Sequence, residues 1–286
     1  MPISDLRRVI PSSLLLLLLM RVLPVAADEV WQLSPSPHLY PLYRADPLRA
    51  TFSAQAVYLR DTTIANIGRH RFDLKLGGEL NVLGLAASAT QPDWLQLILE
   101  AGFHGQFDAD QSQDNTGWDG IYALYLSLRQ NPQLAYRFGM KHISSHIGDE
   151  LIERSGRQRI DYTRQEWRFG AAWSFADQWL SYVDAGYGFG LRDQILQAPW
   201  RAQLGVQYEA PSLFWNKQFS WYTAMDMSSY QENDWHRNYT LQLGLVAAAQ
   251  ERHWRIGLEF YDGRAQLGEF FQDKESYLGV GLWIDL

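Results

Sequence analysis

Hydrophobic and polar residues alternate one by one through most of the chain that follows residue 28. Between Pro199 and Glu209 every second residue is apolar, and the residues between them are polar or glycine, apart from the first proline. Successive side chains of a β-strand point to opposite faces, so this pattern predicts a strand with one apolar and one polar face. The same pattern gives about twelve strands in all, the others being 51–59, 72–82, 94–107, 118–128, 134–144, 163–175, 179–191, 219–227, 239–247, 254–260 and 278–286.

The two faces of these strands indicate a membrane-spanning barrel rather than a soluble sandwich. Aromatic residues stand at both ends of apolar faces, as Trp200 and Tyr208 do, which is typical of the two aromatic girdles of a transmembrane barrel. The opposite faces carry charges that a barrel interior tolerates and a dry core does not. These charges are Lys75, Glu79, Glu100, Arg137, Lys141, Arg168, Asp184, Arg201, Asp226, Arg255 and Glu259. We therefore predict an all-β fold, an antiparallel outer-membrane β-barrel of about 12 strands over residues 50–286.

The connections between the predicted strands alternate in length, as expected for short periplasmic turns and longer outer loops. Short connections at 129–132, 176–177 and 250–252 alternate with long ones at 108–116, 145–162, 228–235 and 262–275. Two connections, 83–93 and 210–217, are several residues too long for periplasmic turns. Either the alternation of short and long connections breaks there, or these connections carry an additional element. Because the interior charges have both signs, we expect them to pair and fill a narrow lumen.

Composition and the N-terminus place this barrel in a bacterial envelope. The chain has 286 residues, no cysteine and a net charge of −7, which disfavours a nucleic-acid partner and requires stability without disulfides. Residues 1–27 read as a cleaved signal peptide, with Arg7 and Arg8 before an apolar run and Val25-Ala26-Ala27 at the cleavage site. Residues 28–49 are expected to form a proline-rich periplasmic lead-in. The expected location is the outer membrane of a Gram-negative bacterium.

On one predicted strand, polar residues replace apolar ones at the outer end of the lipid-facing side. On the strand that begins at Leu134, the lipid-facing side continues into His142 and Ser144. An imidazole two residues from a hydroxyl on one strand face lies within hydrogen-bond reach, as a general base and its nucleophile must. On the next strand the same side offers Gln165 or Thr163 to orient the imidazole. The alternative interpretation is that His142 and Ser144 only mark the transition from hydrocarbon to headgroups.

This His-x-Ser pair on a lipid-facing strand resembles outer-membrane phospholipase A, a barrel of the same strand number, and also the lipid A deacylases. The resemblance implies hydrolysis of lipid acyl esters, with an asparagine of the phospholipase in the orienting position that Gln165 or Thr163 would fill here. It also implies calcium as an activating ion. Asp149, Glu150 and Glu153, close to the pair in sequence, could bind Ca²⁺ through carboxylate oxygens, but their spacing is not that of an EF-hand and a solvated acidic loop is the simpler interpretation.

Three further stretches resemble the bacterial outer-membrane family called domain of unknown function 1207. They are Pro41–Pro47 with the Phe52-Ser53-Ala54 that follows, the run 142–150, and Gly263–Phe271 before the last strand. This resemblance spans nearly the whole mature chain. It implies an outer-membrane location without implying an activity.

The sequence therefore leaves three functions open. The first is a serine-dependent hydrolase of outer-leaflet lipid; the second is a narrow, porin-like channel whose selectivity comes from lumen charges; the third is a scaffold or adhesion barrel with functional outer loops. In each case the expected partners are membrane lipid and lipopolysaccharide, together with the envelope barrel-assembly machinery. The barrel is expected to be a monomer or a homodimer.

Overall fold

The computed structural model describes residues 29–35, 37–88, 90–193, 195–211, 219–249 and 252–285. The expected signal peptide, residues 1–27, lies outside these ranges, as does most of the connection 210–217. Within the described ranges, no helix is long and apolar enough to cross a membrane.

The described chain folds into antiparallel strands that close into a barrel. Each of the strands β2 to β13 pairs with the next one along the chain, and β13 pairs with β2, which gives a closed barrel of 12 strands as predicted. The strands are β1 (Val30–Leu33), β2 (Phe52–Thr62), β3 (His70–Ala86), β4 (Asp93–Asp108), β5 (Asp114–Arg129), β6 (Leu134–Ile147), β7 (Thr163–Ala176), β8 (Trp179–Leu191), β9 (Trp200–Glu209), β10 (Phe219–Tyr230), β11 (Arg237–Ala249), β12 (Arg252–Arg264) and β13 (Lys274–Asp285).

The two ends of the barrel differ in their connections, as the sequence predicts. At one end, here called the short-turn end, connections such as 177–178 have two residues. At the other, the long-loop end, lie the helix α1 (Asp149–Ser155) and the 3₁₀ turns Ala109–Gln111, Gln231–Asn233 and Gly268–Phe270. The connection 83–93 is shorter than expected because β3 continues to Ala86, where its last residues pair with the added strand β1.

The outside of the barrel is apolar and carries aromatic rings near its ends. Large side chains such as Leu204 and Ile256 are about half exposed, in agreement with a surface that faces hydrocarbon. Near the short-turn end, adjacent rings from β7 to β10 have centroids 4.9–5.9 Å apart. This row of rings, a girdle as predicted, consists of Trp173, Phe175, Trp179, Tyr208 and Trp221.

The interior of the barrel is filled by paired charges, as predicted. Asp184 is the centre of one network, with carboxylate oxygens 3.4 Å from Arg137, 3.1 Å from Arg168 and 3.0 Å from Arg201. All four side chains are buried. A buried charge is tolerated only when it is paired and hydrogen-bonded, so this network both satisfies the interior and occupies its volume.

Residues 37–50, most of the proline-rich segment, lie inside the barrel, whereas this segment was expected in the periplasm. Tyr40 and Tyr43 are completely or almost completely buried, and the Arg137 guanidinium lies 4.8 and 4.5 Å from their ring centroids. The backbone of the segment accepts hydrogen bonds from lumen lysines, including a 2.6 Å bond from Lys75 Nζ to the carbonyl of Pro47. The physical reason is that the lumen provides partners for the charged side chains of this segment, such as Glu209 for Arg44 and Asp285 for Arg49. We call residues 37–50 the internal plug.

Candidate functional site

The outward face of β6 carries three polar residues at the long-loop end. These are His142, Ser144 and His146, each partly exposed. The predicted strand ends at residue 144, which leaves His146 in a loop, but β6 continues to Ile147. Because alternation persists through these residues, His146 lies on the same face as Ser144.

The imidazole that bonds to Ser144 is that of His146. The distance from Ser144 Oγ to His146 Nε2 is 3.3 Å. Among the described residues, the structure gives no such contact for His142, whose buried Nδ1 has no hydrogen-bond partner. The expected pair of Ser144 with His142 therefore does not form, and the histidine that contacts Ser144 is His146.

Aromatic rings of β5 hold the two imidazoles. In the register of β5 and β6, Trp118 lies opposite His146, and Tyr122 lies opposite His142. The ring centroids are 4.2 Å apart in the first pair and 4.4 Å apart in the second. Each imidazole is thus packed against an aromatic ring, which restricts its rotation.

A glycine leaves the space beside Ser144 open. Gly120 lies opposite Ser144 on β5, between the two aromatic residues. A Cβ placed on Gly120 would have only ordinary contacts, the nearest at 3.6 Å from the Trp118 ring. The hydroxyl therefore lies beside a notch between the two ring–imidazole stacks. A small acyl group could reach it there from the outside of the barrel.

The two candidate orienting residues lie where the sequence places them but contact other groups. Thr163 is opposite Ser144 and Gln165 is opposite His142 across β6 and β7. The Thr163 hydroxyl is directed towards the carbonyl of Asp161, at 3.5 Å. The Gln165 side chain lies over Gly190 of β8, where a Cβ would come within 3.0 Å of its Cβ, Cδ and Oε1 atoms. The described residues thus include no side chain that hydrogen-bonds to either imidazole from β7.

The acidic residues next to the pair do not form an ion site. Asp149 is exposed and pairs with Arg159 at 2.9 Å, while Glu150 and Glu153 project from α1 into solvent. Across the described ranges there is no group of three or more His, Cys, Asp or Glu residues that could hold a metal ion. These carboxylates therefore do not fit the expected Ca²⁺ site, because one is already neutralised and the others do not converge with it.

The inward side of the same strand anchors a cap over the mouth of the barrel. Ser145 Oγ accepts a hydrogen bond from the backbone N–H of Glu269 at 2.8 Å. The Glu269 carboxylate, itself fully buried, accepts bonds from the N–H groups of Ile160 and Tyr162 at 2.9 and 3.0 Å. One buried carboxylate therefore ties two long loops together directly behind Ser144.

All three stretches that were singled out in the sequence meet in this region. Together they line a cavity of about 40 Å³. Its lining includes Pro47 of the first stretch, Ile143 of the second, and Gly268 and Phe271 of the third. Glu232 and Tyr162 also line it, and burial raises the pKa of both groups. This convergence was not expected from the sequence, because the first stretch was predicted to lie in the periplasm.

Solved structures with a similar fold include outer-membrane phospholipase A from Escherichia coli. That match has 14% identity and a TM-score of 0.57, and it covers 87% of this chain and 94% of the other. The calcium-bound dimer of the Salmonella typhi outer-membrane phospholipase matches with 14% identity and a TM-score of 0.55, covering 85% of this chain and 95% of the other. At this identity the likeness establishes the outer-membrane barrel fold alone.

A search among curated proteins found no match in sequence. The model of the family described as "Protein of unknown function (DUF1207)" matches residues 24–285, in agreement with the three stretches identified above. The chain therefore belongs to the DUF1207 family.

Proposed function

We propose that the protein hydrolyses acyl esters of lipids in the outer leaflet of the outer membrane. The observation that carries this proposal is the 3.3 Å contact between Ser144 Oγ and His146 Nε2 on the outward face of the barrel. A hydroxyl is a weak nucleophile until an adjacent base accepts its proton. The neighbouring imidazole supplies that base at hydrogen-bonding distance, and such contacts commonly shorten when substrate binds.

The reaction would proceed through an acyl-enzyme. Ser144 Oγ attacks the ester carbonyl carbon while its proton passes to His146 Nε2, and the imidazolium then protonates the departing alcohol oxygen. In the second half, His146 takes a proton from water, the hydroxide attacks the acyl carbon, and the proton returns to Ser144 Oγ as the fatty acid leaves. Each proton transfer in this sequence uses Ser144, His146, water or the substrate itself.

The surroundings of the pair favour a lipid substrate. Below Ser144 on the outward faces of β5 and β6 lie Leu124, Leu126 and Phe138, which are about half exposed. An acyl chain could pack against these side chains, as it does against the apolar band of any membrane barrel. The ester group of a lipid lies at the junction of hydrocarbon and headgroup. This is also the level at which the apolar face of β6 gives way to His142, Ser144 and His146.

A filled interior weighs against the channel alternative. The internal plug and the Asp184 network occupy the lumen, whereas a conducting barrel needs a continuous aqueous path. The homodimer, the interaction with lipopolysaccharide and insertion by the barrel-assembly machinery stay predictions.

The test is the release of fatty acid from phospholipid and from lipopolysaccharide by the refolded full-length chain. Ser144→Ala should abolish release, and His146→Gln should lower it by about 10²- to 10⁴-fold. His142→Gln should retain most of the activity. Ser181→Ala is the matched control, since Ser181 is also partly exposed on the outside of the barrel but lies near the short-turn end.

Two outcomes would contradict the proposal. One is equal release by the wild-type chain and Ser144→Ala. The other is no release by a wild-type chain whose heat-modifiable migration proves that it is folded. A loss with His142→Gln equal to that with His146→Gln would contradict the assignment of His146 as the base.

A further inference from the structure

Unpaired cations are concentrated in one sector of the barrel rim. Most arginines and lysines with described side chains have a carboxylate within 4.0 Å. The exceptions are Lys75 in the interior, Arg129 at the short-turn end, and five residues at the long-loop end. The five, here called the cationic rim, are Arg60, Arg69, Arg237, Arg264 and Lys274.

The cationic rim is continuous along the sheet. Its residues lie at the long-loop ends of β11, β12, β13, β2 and β3, which are consecutive neighbours in the barrel. Arg264 and Lys274 are directly opposite each other in the register of β12 and β13. Arg69 donates a hydrogen bond to the carbonyl of Arg60 at 3.2 Å, which joins the other two strands.

Carboxylates in the sector do not neutralise it. Asp273 pairs with Arg157 at 2.7 Å. The other acids on or beside the same strand ends are Asp61, Asp110, Asp234 and Asp262, which the five cations outnumber. Asp110 contacts the His70 ring at 2.9 Å, and none of these four lies within ion-pair distance of a rim cation among the described residues. A net positive sector on a chain of net charge −7 calls for an anionic partner.

Directly below the cationic rim the barrel surface is apolar. Tyr58 and Leu278 are each 45% exposed, and Val280 is 55% exposed. The Arg60 guanidinium lies 5.7 Å from the Phe260 ring centroid, so this cation is at the upper edge of the apolar band. The surface therefore pairs positive charge with hydrocarbon at one level of the membrane. A lipid whose headgroup bears phosphate has the complementary arrangement.

We propose that the cationic rim binds the phosphate groups of a phosphorylated glycolipid of the outer leaflet, with its acyl chains against Tyr58, Leu278 and Val280. Guanidinium groups bind phosphate oxygens in a bidentate manner, and four of the five cations are arginines. The surface lies on β11–β13, β2 and β3, away from β6 with Ser144. The inference is therefore independent of the proposed hydrolysis.

The experiment is native mass spectrometry of the refolded full-length chain in detergent with diphosphoryl lipid A and with the same lipid after removal of its phosphates. Ser144→Ala is used as the background, so that hydrolysis cannot be mistaken for weak binding. The triple variant Arg60→Gln, Arg237→Gln, Lys274→Gln is compared with a control of equal charge change, Arg129→Gln, Arg159→Gln, Arg192→Gln. Heat-modifiable migration verifies that each variant is folded.

We expect the intact rim to bind the phosphorylated lipid in preference to the dephosphorylated one, and the rim variant to bind it about tenfold more weakly or worse. The control variant should keep the affinity of the background. Binding that does not depend on the phosphates, an unchanged affinity in the rim variant, or an equal loss in the control would each overturn the proposal.

Discussion

The ring of Tyr43 stacks on the ring of Tyr182, with centroids 3.6 Å apart and planes 5° from parallel. Tyr43 belongs to the internal plug and Tyr182 to strand β8, so this stack joins the plug to the barrel wall. The Tyr182 hydroxyl also donates to Asp226 at 2.7 Å. The plug is thereby continuous with the polar network of the interior, which explains why a segment without regular structure holds one position there.

The plug should keep the barrel closed to ions. We expect the wild-type chain to give no unitary conductance steps in planar bilayers, because its lumen is filled. A chain that lacks residues 37–48 should show such steps once its heat-modifiable migration proves that it is folded. Steps of the same size in both proteins would show that the segment does not close the lumen.

Asp184 should contribute strongly to stability. The substitution Asp184→Asn leaves Arg137, Arg168 and Arg201 buried around a neutral group, and loss of one partner from a buried ionic network costs about 3–5 kcal/mol. Urea unfolding in detergent measures the change. Asp149→Asn is the control, since the Asp149 side chain is 83% exposed and its pair with Arg159 should contribute no more than about 1 kcal/mol. Equal effects of the two substitutions would contradict this role of Asp184.

Glu269 should hold the cap over the long-loop end. In Glu269→Ala the N–H groups of Ile160 and Tyr162 lose their acceptor, so the loop between α1 and β7 should open more often. Limited trypsinolysis after Arg157 or Arg159 should be faster, while the barrel itself resists cleavage. Glu150→Ala, which changes an exposed residue of α1, should leave the rate unchanged. A Glu269→Ala variant cleaved at the wild-type rate would refute the anchor.

His236 reports on the charge of the cationic rim. Burial, followed by the nearby charges of Arg264 and Lys274, holds the pKa of His236 below its ordinary value of 6.5. The imidazole of the unfolded chain therefore binds a proton more readily than that of the folded chain. The stability that the neutral imidazole contributes is present at neutral pH and is lost as the pH falls below 6.5. Lys274→Gln should raise the pKa of His236, measured by NMR titration in detergent. The control Arg159→Gln should leave the pKa of His236 unchanged. A pKa that Lys274→Gln does not change would show that the Lys274 charge does not act on His236.

Period-two alternation was sufficient to predict the barrel and the outward position of Ser144. The faces of a strand follow from residue parity alone, so Leu204 and Arg201 fall on opposite sides of the wall whatever their neighbours are. The choice between His142 and His146 could not be made in this way. Both are two residues from Ser144, and the hydrogen bond depends on how Trp118 and Tyr122 of the adjacent strand orient the two rings.

The internal plug could not be predicted because its contacts are remote in sequence. Arg49, for example, pairs with Asp285, 236 residues away. One signal was present, since the plug contains Arg44, Asp46 and Arg49 among apolar residues, a mixture that suits a charged lumen. The strand end at Ile147 was also predictable in principle, because alternation continues through His146.

Covalent labelling of Ser144 by a long-chain alkyl fluorophosphonate tests the central claim most directly. Such a probe reacts only with a hydroxyl whose proton is removed by a neighbouring base. We predict that peptide mapping finds the label on Ser144, that His146→Gln slows labelling by about 10²- to 10⁴-fold, and that His142→Gln leaves the rate nearly unchanged. A folded barrel that is not labelled at Ser144, or is labelled at the same rate without His146, would contradict the assignment of this pair as the catalytic group.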